Sequence, residues 1–179
     1  MHDPVTKPPA ELISRVKSGD TEALGEIYAR YSRPLMQTAY RLTGNAADAE
    51  DVLHDVFLGL PEALRHYDER GAAESWLKRL TARVALSRIR SRTQRRESPL
   101  AEEIANHPRA TASLNDDWLV QNAIDELPES LRVVFVLKEI EGYSHSEIAA
   151  TIGISVANSE VRLHRAVKAL RKRLAPKIQ

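Results

Sequence analysis

The chain has 179 residues, 42% hydrophobic and 28% charged, with a formal net charge of +1 at pH 7. That balance excludes a chain disordered throughout and suits two small domains, each with a modest core. The lack of cysteine excludes disulfides, iron–sulfur clusters, thiolate zinc sites and a cysteine nucleophile.

No window nears the roughly 18 apolar residues of a spanning helix. Met1–Ala10, with three prolines and no apolar core, does not read as a signal peptide. The expectation is a cytoplasmic protein. In chain order, Asp20 is suited to cap a helix whose apolar residues are Ala23, Leu24, Ile27, Tyr28 and Tyr31. Pro34 fits the first turn of a second helix carrying Leu35, Ala39 and Leu42, and Gly44 ends it. Asn45 and Asp48 resemble a capping box that opens a third helix, with the stripe Ala49, Val52, Leu53, Val56, Phe57 and Leu60. Pro61 is expected to kink or restart it.

This third helix lies in a run, Asn45 to Leu64, with five acidic residues and no Lys or Arg. At 100° per residue, Asp48, Asp51 and Asp55 fall within about 60° of one another beside the apolar arc. Three carboxylates in a line on one helix form no enclosing cage, so no metal site is expected. A negative stripe beside an apolar edge suits a basic protein partner, or else a solvated face.

His66 to Gly71 reads as a polar loop. The next helix spans about Ala73–Arg92, with Leu77, Leu80 and Val84 inward. Lys78 to Arg96 holds eight basic residues and no acidic one. Arg79, Arg83 and Arg90 project together with Trp76 at their margin and Tyr67 in the loop before. Aromatics beside arginines suit stacking of unpaired bases; a core role for Trp76 is the other reading.

Gln94 to Asp117 has two prolines, few large apolar residues and no period, so it reads as a linker. Beyond it, Asp116 or Asp117 caps a helix Trp118–Leu127. Pro128 opens another with Leu131, Val134, Phe135, Leu137 and Ile140, stopped by Gly142. His145–Ile152, Gly153 and a last helix capped by Ser155 read as a helix-turn-helix. On the last helix, Val156, Leu163, Ala166, Val167, Leu170 and Leu174 are expected to face the core. Ala157, Asn158, Val161, His164, Arg165, Lys168 and Lys172 lie opposite. Asn158 suits adenine, Arg165 guanine or phosphate, Val161 a thymine methyl, and Lys168 a phosphate. Arg162 to Lys177 adds seven basic residues and no acidic one. Two basic blocks suggest two contacts with a polyanion.

The fold class expected is all-α: two small helical domains on a flexible linker, the C-terminal one a helix-turn-helix. The boundaries are 10–96, 97–116 and 117–178. Two segments in this order resemble a bacterial extracytoplasmic-function (ECF) sigma factor of the sigma-70 family with regions two and four only. Region two is matched by YSRPLMQTAYRLTGNAADAEDVLHDVFLGL (31–60) and SWLKRLTARVALSRIR (75–90). Region four is matched by LPESLRVVFVLKEIEGYSHSEIAATIGIS (127–155) followed by RLHRAVKALRKRL (162–174).

The resemblance implies a non-enzymatic, cofactor-free alternative sigma factor that binds the RNA polymerase core and recognises minus-thirty-five and minus-ten promoter elements. It implies that the factor promotes melting and is controlled by an anti-sigma factor. It places Asp48, Glu50, Asp51 and Asp55 against the clamp helices of the polymerase core. It places Tyr67, Asp68, Arg70, Trp76, Arg79 and Arg83 at the minus-ten DNA. It places Ala157, Asn158, Glu160, Val161, His164, Arg165 and Lys168 at the minus-thirty-five DNA. The linker would thread the polymerase's RNA path. The chain departs from the family pattern in several places. It lacks an aromatic near Ala73–Glu74, the usual Asn at Arg83 and the usual Asp at Ser87. Ser159 stands where an apolar residue is usual, and Glu160 where Lys or Arg is.

Two other functions were weighed. A stand-alone helix-turn-helix regulator would leave the acidic stripe unemployed and needs a dimer surface or sensor domain. An enzyme needs a motif, and neither paired metal-spaced histidines nor a Gly-rich phosphate loop occurs.

Overall fold

The computed structural model describes residues 10–67, 73–96 and 116–175. Among them every regular element is helical: α1 (Ala10–Lys17), α2 (Thr21–Thr43), α3 (Ala46–Arg65), α4 (Ala73–Arg96), α5 (Asp116–Asp125), α6 (Glu129–Phe135, continuing as a π-helical turn Val136–Ile140), α7 (His145–Ile152) and α8 (Val156–Leu174). Two compact units result. One is built from the chain up to Tyr40 and from Ala46–Arg88, the other from Arg41–Asn45 and the chain from Ile89 onward. No helix of the described residues is long and apolar enough to cross a membrane.

In the first unit, Asp20 caps α2 as its position predicts: Oδ1 accepts from the Glu22 and Ala23 amides at 2.9 and 3.1 Å. The Ala23 amide, then the Arg15 guanidinium, hold the Asp20 carboxyl below the usual carboxylate range. The predicted break at Pro34 does not occur, for α2 runs straight through it, and α3 likewise runs through Pro61. Each proline removes one backbone donor, but the buried line Tyr31, Leu35 and Ala39 crosses Pro34 and the line Phe57, Leu60 and Leu64 crosses Pro61. Continuous burial offsets a single missing hydrogen bond, since packing rather than propensity carries most helical stability in a protein. α1 lies on α3, bringing Leu12, Ile13 and Val16 into a core with Ile27, Val52, Val56 and Leu60.

The inward line of α4 also differs from its prediction. Leu77 is buried, but Leu80 and Val84 are only half-buried; Thr81, Ala82, Ala85 and Leu86 complete the covered face. Thr81 can be buried because its hydroxyl donates to the Leu77 carbonyl at 2.9 Å, so no polar group is left without a partner.

In the second unit, α5, α6 and α7 all lie against α8. Pro128 precedes α6, as expected. The π-helical turn carries one residue more than an α-turn, with the Glu141 amide donating to the Val136 carbonyl five residues back at 3.0 Å. Gly142, at φ +75°, ends it. Ser144 and Glu147 form a reciprocal capping box at the start of α7. Gly153 closes α7 at φ 73°, and Ser155 caps α8 by accepting from the Asn158 amide at 3.1 Å.

Candidate nucleic-acid interface and acidic face

The acidic stripe sits on α3. Glu50 and Asp51 are exposed; Asp48 and Asp55 are half-buried. Two of these carboxylates are bound within the first unit. Arg88 of α4 donates from Nε to Asp55 Oδ2 at 2.7 Å and from Nη1 to Asp51 Oδ2 at 2.8 Å. The hydrogen bond to Asp55 comes first among the interactions that keep this guanidinium protonated. One fork therefore fixes two carboxylate rotamers and offsets part of their charge. Leu58 continues the stripe, one turn beyond Asp55, and is 69% exposed. Sequence reasoning missed both residues. The signal for Arg88 was present: at 100° per residue it projects opposite Arg79, about 180° away.

On the outer face of α4, Arg79, Arg83 and Arg90 are exposed, as their projection predicts. Trp76 is half-buried, and its ring centroid lies 4.8 Å from that of Tyr67 at an interplanar angle of 54°. Tyr67 is 6% exposed, so its ring supports Trp76 rather than standing in solvent. Below them a small apolar pocket is lined by Ile13, Ile27, Leu60, Leu64 and Leu77 together with the two aromatics. Asp68 and Arg70 lie outside the described residues.

On α8, Ala157, Asn158, Glu160, Val161, His164, Arg165 and Lys168 are all exposed, as is Lys172. Asn158 Oδ1 accepts from Arg162 Nε at 3.0 Å, so the Asn158 amide is oriented before any ligand arrives. The inward face departs from its projection at one end. Val156 is 42% exposed, whereas Ser159 is fully buried with Ala166 and Leu170. Val156 is the first residue after the Ser155 cap, where the turn leaves it uncovered. Ser159 tolerates burial because its Oγ lies 2.8 Å from His145 Nδ1.

Known proteins share this arrangement. Residues 27–95 match the model for sigma-70 region 2, and residues 118–170 match that for sigma-70 region 4. The ECF RNA polymerase sigma factor SigE of Mycolicibacterium smegmatis is 33% identical over 88% of this chain, which spans 65% of that protein's length. The ECF RNA polymerase sigma factor SigW of Bacillus subtilis is 30% identical, over 90% of this chain and 94% of its own. Among solved structures, CnrH in complex with the cytosolic domain of CnrY matches with 27% identity and a TM-score of 0.52, covering 93% of this chain and 96% of that one. The chain belongs to the ECF sigma factors, a group within the sigma-70 family. It is an alternative sigma factor, and sigma factors are DNA-binding transcription initiation factors.

Proposed function

We propose that the protein directs the polymerase core to promoters through three separate surfaces, with no bond made or broken by its own side chains. The acidic face of α3, with Asp48, Glu50, Asp51 and Asp55, docks on the clamp helices of the core, and Leu58 adds an apolar contact to it. Arg79, Arg83 and Trp76, with Tyr67 behind the tryptophan and Asp68 and Arg70 alongside, take the minus-ten strand. The exposed face of α8 reads the minus-thirty-five element: Asn158, Glu160, Val161 and Arg165 at base edges, Ala157 and His164 beside them, and Lys168 on phosphate. The working boundaries are 10–96 for region two, 97–116 for the linker through the RNA path and 117–178 for region four.

Melting then follows from differential binding. Each base taken out of the stack costs a few kcal/mol, and an aromatic platform flanked by arginines stabilises only the unstacked strand. The protein acts in the cytoplasm and needs no cofactor. An anti-sigma factor holds it inactive by covering these surfaces; the CnrH fold, matched along nearly its whole length, was solved with the cytosolic domain of CnrY bound.

The observation that carries the reading is the segregation of charge in the first unit. Carboxylates line α3 while exposed arginines line the outer side of α4, and a stand-alone DNA binder has no use for the former. In vitro transcription with core polymerase on a genomic library, followed by start-site mapping, tests it. A common pair of upstream elements is expected. Tight duplex binding without directed initiation would leave a plain repressor or activator instead.

A further inference from the structure

Resting on the reading of α8 above, we propose that the His145–Ser159 pair is a positioning element that sets the angle at which α8 meets the minus-thirty-five bases. Ser159 lies one turn beyond the Ser155 cap and has no exposed surface. His145 is the first residue of α7, next to the Ser144–Glu147 capping box. The 2.8 Å contact between His145 Nδ1 and Ser159 Oγ therefore ties together the two capped starts of the helix-turn-helix.

The chemistry of the contact matters. An apolar side chain at this position would hold α8 to α7 by a non-directional force that tolerates rotation. A hydrogen bond weakens steeply with distance and angle, and a buried hydroxyl that loses its partner is penalised. The pair thus selects one rotation of α8 about its own axis. Ala157, Asn158, Glu160 and Val161 lie within two residues of Ser159 and turn with it. With side chains reaching about 5–6 Å from the axis, a 20° rotation displaces them by roughly 2 Å. That is enough to lose a hydrogen bond to a base edge. Contacts to phosphate, made by long lysines, adapt to the same shift.

The test uses the full chain bound to core polymerase and a pool of promoters with a randomised upstream element. Wild type enriches one upstream sequence. Ser159→Ala, His145→Ala and the double variant are each expected to lose about fivefold in preference for it over a scrambled upstream element, the factor one typical hydrogen bond supplies. Because the two residues act through one bond, the double variant should lose no more than either single one. Affinity for the scrambled promoter should stay at the wild-type level. Ser159→Val, which refills the space with an apolar group, guards against unfolding: it should melt cooperatively and show the same broadened preference. Full preference in variants that fold, additive losses, or equal losses on both promoters would each overturn the proposal. A wild-type protein that enriches no upstream sequence would instead defeat the underlying reading of α8.

Discussion

Reversing Asp51 and Asp55 together separates docking from folding. In Asp51→Lys/Asp55→Lys both partners of Arg88 are lost. The side chains are 64% and 40% exposed for the two aspartates and 38% for the arginine. Pairs so exposed contribute about 0.2–1 kcal/mol each, so the two together hold at most about 2 kcal/mol. Repulsion between the new lysines and Arg88 adds a similar small amount, screened by salt. Against a typical stability of about 5–15 kcal/mol, the first unit stays folded. Affinity for the polymerase core, measured by fluorescence anisotropy of the labelled full chain, should fall at least 100-fold, about 2.7 kcal/mol. Arg88→Gln is the control, since it breaks the same two pairs but keeps both carboxylates. It should show a comparable stability loss with core affinity within a few-fold of wild type. Loss of helical circular dichroism in parallel with core binding would refute the reasoning and make the stripe structural. So would unchanged binding by a folded double variant.

Three further outcomes are expected. Arg165→Ala should cost about 1–3 kcal/mol on a selected minus-thirty-five duplex and little on a scrambled one, read by competition binding of the holoenzyme; equal losses would assign Arg165 to phosphate. Gly153→Ala forces an L side chain into φ 73° and should destabilise the second unit by about 1–2 kcal/mol, read by urea denaturation. Asp20 has a folded-state pKa below 3.8, so it contributes stability that is present above that value and lost as pH falls through the folded value. Asp20→Asn should therefore flatten the acid limb of stability against pH between neutrality and pH 2, and an unchanged limb would count against the cap as its source.

Much of this was legible in the sequence because helices announce themselves by period and punctuation. Asp20, Gly44, Gly142, Gly153 and Ser155 all stand at the ends their chemistry suits, and the exposed face of α8 followed from projection alone. What was not legible depended on the third dimension. Pro34 and Pro61 act as breakers only where nothing else holds the helix, and here a continuous buried line does. Val156 shares an arc with Leu163 and Leu170, but only packing decides where along α8 coverage begins. The Ser-x-x-Glu signature at Ser144 was open to reading and was passed over. Arg88 could be seen to face away from its fellow arginines, whereas its two carboxylate partners on α3 could not be paired with it from spacing. Ser159 read as a departure from a pattern; its reason became visible only beside His145.

The turn at Val136–Ile140 has a consequence for chain length. Its surplus residue has no partner in an ordinary helical repeat, so removing one residue there would let α6 run on regularly at the expense of everything downstream. At 100° per residue, the loops and helices that follow would leave α6 in a direction about a quarter-turn away. Substitutions within Val136–Ile140 are then far better tolerated than a one-codon deletion, and the reading frame of the groove-facing helix is guarded some fifteen residues before that helix begins.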